Sequence, residues 1–227
     1  MSIVQALQTS EPFLALPDSL LAGPGLDDQP PLLWFPRFLP AVAADRLLAV
    51  LREQVAWEQR SANFGGRRVA VPRLIAWYGE HPYRYAGFTH AAAALPVFLA
   101  ELLPALQALL SARLGAPVAF DSVLLNRYRD GRDSMSFHSD NEVQLGPEPV
   151  IASLSLGASR TLQFRAIGRQ RRLAGTLTHG SLLVMHGRSQ SDWQHAVPKE
   201  ACEGERINLT FRRTGPLRPG PPRRASG

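Results

Sequence analysis

Three residues of this chain carry side chains that ligate transition metals, and their spacing is informative: His138, Asp140 and His195. His138 and Asp140 are two apart, so on an extended strand both leave the same face. His195 lies far along the chain, where a second strand can close a three-ligand set. Two imidazoles and one carboxylate on one face of a ferrous ion leave three coordination positions open. That set is characteristic of non-haem iron oxygenases, as opposed to structural zinc. A 2-oxo acid can chelate two of the open positions and dioxygen can take the third. Taken alone the pattern is weak, because His-x-Asp is a common pair and a histidine in a strand is usually a satisfied polar residue.

The second group of chemistry-bearing residues sits downstream. In Arg206-Ile207-Asn208-Leu209-Thr210-Phe211-Arg212 polar and apolar residues alternate, so a strand puts Arg206, Asn208, Thr210 and Arg212 on one face. If that face points inward, two guanidiniums are buried and require anionic partners. A bound dicarboxylate and the Asp140 carboxylate would supply them, and the fork of Arg206 matches the distal carboxylate of 2-oxoglutarate. Asn126 and Tyr128, also two apart, can add neutral hydrogen bonds to the same diacid.

Asn126-x-Tyr128, His138-x-Asp140, His195 and Arg206-x-Asn208-x-Thr210-Phe211-Arg212 together resemble the AlkB family of Fe(II)- and 2-oxoglutarate-dependent dioxygenases. The stretches Pro72-Arg73-Leu74-Ile75-Ala76-Trp77-Tyr78-Gly79 and His138-Ser139-Asp140-Asn141-Glu142 resemble the branch that repairs alkylated DNA and RNA. The resemblance runs from about Trp34 to Arg213. It implies that His138, Asp140 and His195 bind Fe(II), that Arg206 grips 2-oxoglutarate, and that Asn126 and Tyr128 hydrogen-bond to it. Asn208 is implied to support the same pocket, with Arg212 near the iron-bound end of the cosubstrate and near Asp140. The implied reaction consumes O2, hydroxylates an N-methyl group on a base, and releases formaldehyde, succinate and carbon dioxide. Three departures stand out: Phe137 where relatives often carry Trp, Asn141 where an acidic residue is frequent, and a Phe64 segment slightly longer than in close relatives.

A methyl group on a Watson–Crick edge is reachable only if the base is flipped out or already single-stranded. Trp77 and Tyr78 are candidates for the pocket wall, or for core packing. Glu142 is a candidate polar contact. Phe64, beside Gly65-Gly66, could be a wedge that fills the gap left by a flipped base, or a buried turn aromatic. Arg67, Arg68 and Arg73 would contact phosphates, and Arg165, Arg169, Arg171 and Arg172 form a second cluster. Each cluster could equally be a solvated face.

These residues need a scaffold. At 227 residues and 45% hydrophobic the chain can build one sizeable core. Apolar spacing predicts helices over Ala41–Trp57 and Leu95–Leu114, the second interrupted near Pro104 and ended by Gly115. From Val118 onward short strands separated by turn residues dominate. The pattern predicts an α+β chain with a jelly-roll core, which by the resemblance is a double-stranded β-helix. Residues 1–30 read as a loosely ordered arm and 31–214 as one dioxygenase domain. Within it, 58–90 would form a nucleotide-recognition lid, and 215–227 would be a disordered tail.

The net charge is +6 and Lys199 is the sole lysine. Arginine-borne charge suits nucleic acid, although GC-rich coding gives the same bias. A single cysteine, Cys202, excludes a disulfide framework and a cysteine zinc site. The first basic residue is Arg37, unlike a signal peptide, and no run is expected to approach a membrane span. The expectation is a soluble, cytoplasmic monomer with DNA or RNA as partner and no membrane. Two other functions fit the pattern: a hydroxylase of protein or small molecules, and a nucleic-acid-binding module without chemistry. The intact His138, Asp140, His195 and Arg206 set argues against the latter.

Overall fold

The strand Arg206–Arg212 (β13) lies in the middle of the larger sheet of the computed structural model, hydrogen-bonded on both sides. The structure describes residues 29–65, 67–85, 88–201 and 204–215, with the side chains of residues 62–64 and 85 left aside. The arm over 1–28, Cys202 and the tail over 216–227 lie outside the described residues.

In chain order the first half contains β1 (Leu32–Phe35), α1 (Ala41–Gln54), β2 (Glu58–Phe64), β3 (Arg67–Gly79), β4 (Tyr83–Tyr85), β5 (Phe88–His90), α2 (Val97–Ala100) and α3 (Leu103–Leu114). The second half, before β13, contains β6 (Ser122–Tyr128), β7 (Met135–His138), β8 (Ile151–Gly157), β9 (Arg160–Ala166), β10 (Arg172–Leu177), β11 (Ser181–Met185) and β12 (Trp193–Val197). A seven-stranded sheet runs β1-β11-β8-β13-β6-β3-β2, a four-stranded sheet runs β10-β9-β12-β7, and β4 and β5 form a hairpin. The pairings are antiparallel. This is the α+β, jelly-roll-like architecture that the sequence predicts.

Two apolar clusters make three layers. Ile207, Leu209 and Phe211 of β13 pack with Leu47 and Leu51 of α1 and Leu106 and Leu110 of α3. On the opposite face of the large sheet, Ile75, Leu124 and Leu183 meet Leu162, Phe164 and Val197 of the small sheet. Because β13 is covered on both faces, all seven of its residues are buried, polar ones included. The helices form for ordinary reasons. In α1 the buried Ala44, Leu47, Leu48 and Leu51 recur at helical spacing, and α3 stops at Gly115, whose φ of 66° is the left-handed cap.

The expected interruption of the Leu95–Leu114 helix is present: it is two pieces, α2 and α3, divided just before Pro104, which sits in the first turn of α3, where its missing N–H costs nothing. Two expectations are corrected. By length and composition Val97–Leu114 does meet the requirement for a membrane span. Here Leu99, Leu102, Leu106 and Leu110 of that stretch are buried in the core. Strand β6 starts at Ser122, not Val118, because the Val118 and Phe120 amides donate to Ser111 Oγ and Gln107 Oε1 of α3 instead of to a neighbouring strand.

Candidate active site

His138 and His195 meet because of strand register. They are direct partners across β7 and β12, with ring centroids 4.3 Å apart. Asp140 is not on the strand. β7 ends at His138, and the Asp140 amide donates to Gln190 Oε1 at 2.9 Å instead of joining a ladder. The intervening Ser139 Oγ donates to the Trp193 carbonyl at 2.8 Å, tying this loop to β12. His138 and Asp140 therefore come together, but not on one strand as their spacing predicts, and Gln190 is a supporting residue that the sequence does not single out. One ligand atom from each of the three residues lies within 4.8 Å of the others. His138 Nδ1–H donates to the Ser136 carbonyl at 2.9 Å, which orients the ring and leaves Nε2 as the ligating atom.

The electrostatics suit a divalent cation. Burial pushes the Asp140 carboxyl up, but Arg212, the two histidines and Arg73 hold it below the usual carboxylate range. Burial, reinforced by His138, drives His195 down to about 3. Burial likewise lowers His138. At neutral pH the cluster therefore offers two neutral imidazoles and a carboxylate, the protonation states that metal ligation requires.

The polar face of β13 points between the sheets, as its alternation predicts. Arg206 lies opposite Tyr128, and Asn208 opposite Asn126, in the β13–β6 register. Arg206 is 1% exposed. Its Nη2 donates to Ser155 Oγ at 2.9 Å, while Nε and Nη1 are buried without a well-formed hydrogen bond among the described residues, and the nearby Tyr128 phenol supports the charge. Tyr128 lies under two guanidiniums, Arg206 at 5.3 Å and Arg160 at 5.5 Å from its ring centroid. Asn208 is fully used inside the protein, donating to Ser153 Oγ and the Leu154 carbonyl and accepting from Thr210.

Arg206, Asn126, Ser153, His138, Asp140 and His195 line one cavity of about 480 Å³ counting its mouth. The fit to a chelating diacid is therefore good. The three candidate metal ligands stand in the same cavity as a buried guanidinium with unfilled donors, the donor set a distal carboxylate needs.

The substrate candidates divide. Trp77 is buried on the site's side of β3 and stacks on Tyr83, 4.4 Å between centroids and 14° from parallel. Tyr83, which the sequence did not single out, links this stack to the metal cluster. Arg212 Nη1 donates to its hydroxyl at 2.9 Å, and Arg212 Nη2 reaches Asp140 Oδ2 at 3.4 Å. Glu142 is beside them, its carboxyl pushed up by burial and then by Asp140, and hydrogen-bonded to Tyr83.

Tyr78 alternates to the opposite face and packs against the helix-side cluster, so the structure does not bring it to the cavity. Arg73, expected on phosphates, is 4% exposed and donates from Nε to Asn126 Oδ1 at 2.7 Å. Arg67 and Arg68 are exposed at the β2–β3 hairpin. The Phe64 backbone ends β2, but its side chain is outside the described set, so the wedge expectation is not placed. In the second basic cluster, Arg165 packs over the Phe137 ring at 4.4 Å and donates to Gln194, while Arg169 and Arg172 are exposed.

Residues 31–212 match the family model of the 2OG-Fe(II) oxygenase superfamily. The alpha-ketoglutarate-dependent dioxygenase alkB homolog 3 of Mus musculus is 40% identical over 200 residues, covering 83% of this chain and 68% of that protein. Its Homo sapiens counterpart is 39% identical over 198 residues, with coverage of 83% and 68%. The DNA oxidative demethylase ALKBH2 of Arabidopsis thaliana is 33% identical over 210 residues, with coverage of 80% and 65%. The solved structure of OsALKBH1 shares the fold, with a TM-score of 0.59 at 15% identity over 82% of this chain and 99% of its own. With the metal cluster and the diacid cradle in one cavity, these matches place the chain in the 2OG-Fe(II) oxygenase superfamily, as an AlkB-type Fe(II)- and 2-oxoglutarate-dependent dioxygenase.

Proposed function

We propose that this protein removes methyl groups from N-alkylated bases of the 1-methyladenine and 3-methylcytosine type in DNA or RNA. The observation that carries the reading is the Arg206 guanidinium, buried with unfilled donors in the cavity that holds His138, Asp140 and His195, in a chain whose relatives include a DNA oxidative demethylase. The three ligands would hold Fe(II), and Arg206, Asn126 and Tyr128 would hold 2-oxoglutarate. Bound together with dioxygen, iron and cosubstrate supply oxidation of the N-methyl carbon, with succinate and carbon dioxide as coproducts.

The chain's own part is orientation and exclusion of water. Gln190 fixes the backbone of Asp140, Ser136 fixes the tautomer of His138, and Arg212 keeps the Asp140 carboxyl ionised. The Trp77–Tyr83 stack does not itself line that cavity but is tied to Asp140 through Arg212, and its flat rings suit a cationic methylated base. The strands over 58–90 would act as the lid over that base, with exposed Arg67 and Arg68 toward phosphates. A single cysteine among 227 residues supports a reducing, cytoplasmic compartment, and a monomer suffices for the chemistry.

The test is anaerobic loading with Fe(II), then aerobic incubation with 2-oxoglutarate and a 3-methylcytosine oligonucleotide, followed by mass spectrometry. Loss of the methyl group in the wild type and its retention with His138→Ala supports the reading. Succinate without demethylation would redirect it to a protein or small-molecule substrate.

A further inference from the structure

Strand β7, which carries His138, is four residues long and forms one edge of the four-stranded sheet, where it pairs with β12. Its register there is irregular. Met135 faces Val197 and His138 faces His195, so β7 takes three steps where β12 takes two. The extra residue is a bulge, with Ser136 and Phe137 standing against Ala196. A regular ladder continued from Met135–Val197 would set Phe137 opposite His195 and turn His138 to the outer face. With the bulge, Met135 and His138 both line the cavity although they are three apart. The bulge also leaves the Ser136 carbonyl 2.9 Å from His138 Nδ1. It is therefore what aims the His138 imidazole.

An edge strand can lose such a residue by sliding, because it is held on one side only. Two arginines of β9 oppose the slide, and the alternation of that strand puts them on opposite faces of the sheet. On the inner face, buried Arg160 ties the chain just before β7 to the chain just after β12. Its Nη2 donates to the Asp133 carbonyl at 2.9 Å and to the Pro198 carbonyl at 2.7 Å. A slide of one residue, about 3.4 Å, would break one of the two. On the outer face Arg165 reaches across β12, donating from Nε to Gln194 at 2.7 Å and covering the Phe137 ring, 4.4 Å from its centroid. Past His138 the chain is already tied, Ser139 to Trp193 and Asp140 to Gln190. The extra residue is confined between fixed points.

Arg160 serves no ligand directly. It also donates to Glu200 and to the Asp130 carbonyl, so four of its N–H groups are used inside the protein. Arg165 is half-buried on the ring next to a candidate metal ligand, apart from the exposed Arg169 and Arg172 of the same hairpin.

We propose that Arg160 and Arg165 are positioning residues for His138: from opposite faces of the small sheet they lock the bulge that turns its imidazole toward His195. The proposal rests on the reading of His138, Asp140 and His195 as the metal site.

The test is the Co(II) affinity of the full chain, titrated without 2-oxoglutarate by the visible absorption of the bound ion. Arg165→Met and Phe137→Leu each keep apolar bulk and remove the cation–π contact. Either should weaken Co(II) binding roughly three- to tenfold, the scale of one half-buried contact of this kind. The double variant should bind no more weakly than the weaker single, and Phe137→Trp, which keeps a ring under the guanidinium, should bind as wild type does. Arg160→Gln should weaken the ion by a similar factor, with Arg160→Lys in its place if the glutamine variant does not fold. Leu209→Ala, destabilised on the helix side of β13, is the control and should keep wild-type affinity. Unchanged affinity in Arg165→Met or in the Arg160 variant overturns the proposal. Losses that multiply in the double variant, or a matching loss in Leu209→Ala, also overturn it, since both mark general loosening. If the wild type takes up no Co(II), the metal-site reading fails and the brace falls with it. If the wild type binds and the variants match it, the brace alone is wrong.

Discussion

Replacing Arg206 by Met separates two quantities that usually move together, stability and ligand affinity. In the ligand-free chain Arg206 is a buried cation with two unfilled donor nitrogens, and burial lowers its proton affinity despite the support of the Tyr128 phenol. Exchanging buried ionic groups for apolar ones of similar volume is often neutral or stabilising, by roughly 1–4 kcal/mol. Against this, Ser155 loses the hydrogen bond from Nη2, which is worth about 1 kcal/mol. The net expectation lies between a loss of about 1 kcal/mol and a gain of about 3 kcal/mol, or an unfolding temperature from slightly below wild type to roughly 10 °C above it for a domain of this size.

Cosubstrate binding should behave in the opposite way. With Mn(II) present throughout, 2-oxoglutarate at a hundred times its Kd should stabilise the wild type by about 2.7 kcal/mol, roughly 5–10 °C. It should leave Arg206→Met unmoved. Scanning calorimetry with and without the diacid reads both effects. A variant that unfolds well below wild type in the absence of ligand refutes the unpaired-cation reasoning. A variant that keeps the diacid shift refutes the assignment of Arg206 to the distal carboxylate.

Asp140→Ala and His138→Ala should both abolish iron binding but differ in stability. Removing Asp140 strips the buried carboxylate facing Arg212 and should cost about 3–5 kcal/mol in denaturant unfolding, whereas His138→Ala should cost much less. Gln190→Leu removes the acceptor of the Asp140 amide, and metal titration should show affinity weakened about 10- to 100-fold. Leu209→Ala, on the helix side of β13, should cost about 2–5 kcal/mol of stability and leave Fe(II) and 2-oxoglutarate affinities of the folded protein unchanged.

The legible part of this molecule is what alternation and register dictate locally. The period of two in β13 separates Arg206, Asn208, Thr210 and Arg212 from Ile207, Leu209 and Phe211, and the structure keeps that division. The Asn126 and Tyr128 pair was legible for the same reason, since β6 is the neighbour of β13. What was not legible depends on contacts distant in sequence. Arg73 looked like a surface phosphate contact because nothing local says that β3 turns it toward Asn126. Tyr83 became visible only when the β4–β5 hairpin laid it on Trp77, and Tyr78 was misplaced because its neighbour Trp77 had taken the inward face.

Arg160 is a similar case. Nothing near it in sequence distinguishes it from the exposed arginines of the β9–β10 hairpin. It is fully buried, donating to Glu200 and to the Asp130, Asp133 and Pro198 carbonyls while lying over Tyr128. Two segments remote from each other in sequence, 128–133 and 198–200, are held by that one guanidinium. A glycine does comparable work at the turn after β8. Gly157 has φ +86°, and a Cβ there would lie 2.3 Å from the Glu205 carbonyl, so only glycine lets the chain pass the residue preceding Arg206.

The most direct test of the central claim is stoichiometry. Fe(II)-loaded protein is given a limiting 3-methylcytosine oligonucleotide with excess 2-oxoglutarate and dioxygen, and methyl groups lost are counted against succinate and formaldehyde formed. The account predicts one succinate and one formaldehyde for each methyl removed, none of it in the absence of dioxygen, and none with Asp140→Ala. Methyl loss without succinate, or succinate formed at the same rate whether or not the methylated oligonucleotide is present, would contradict it.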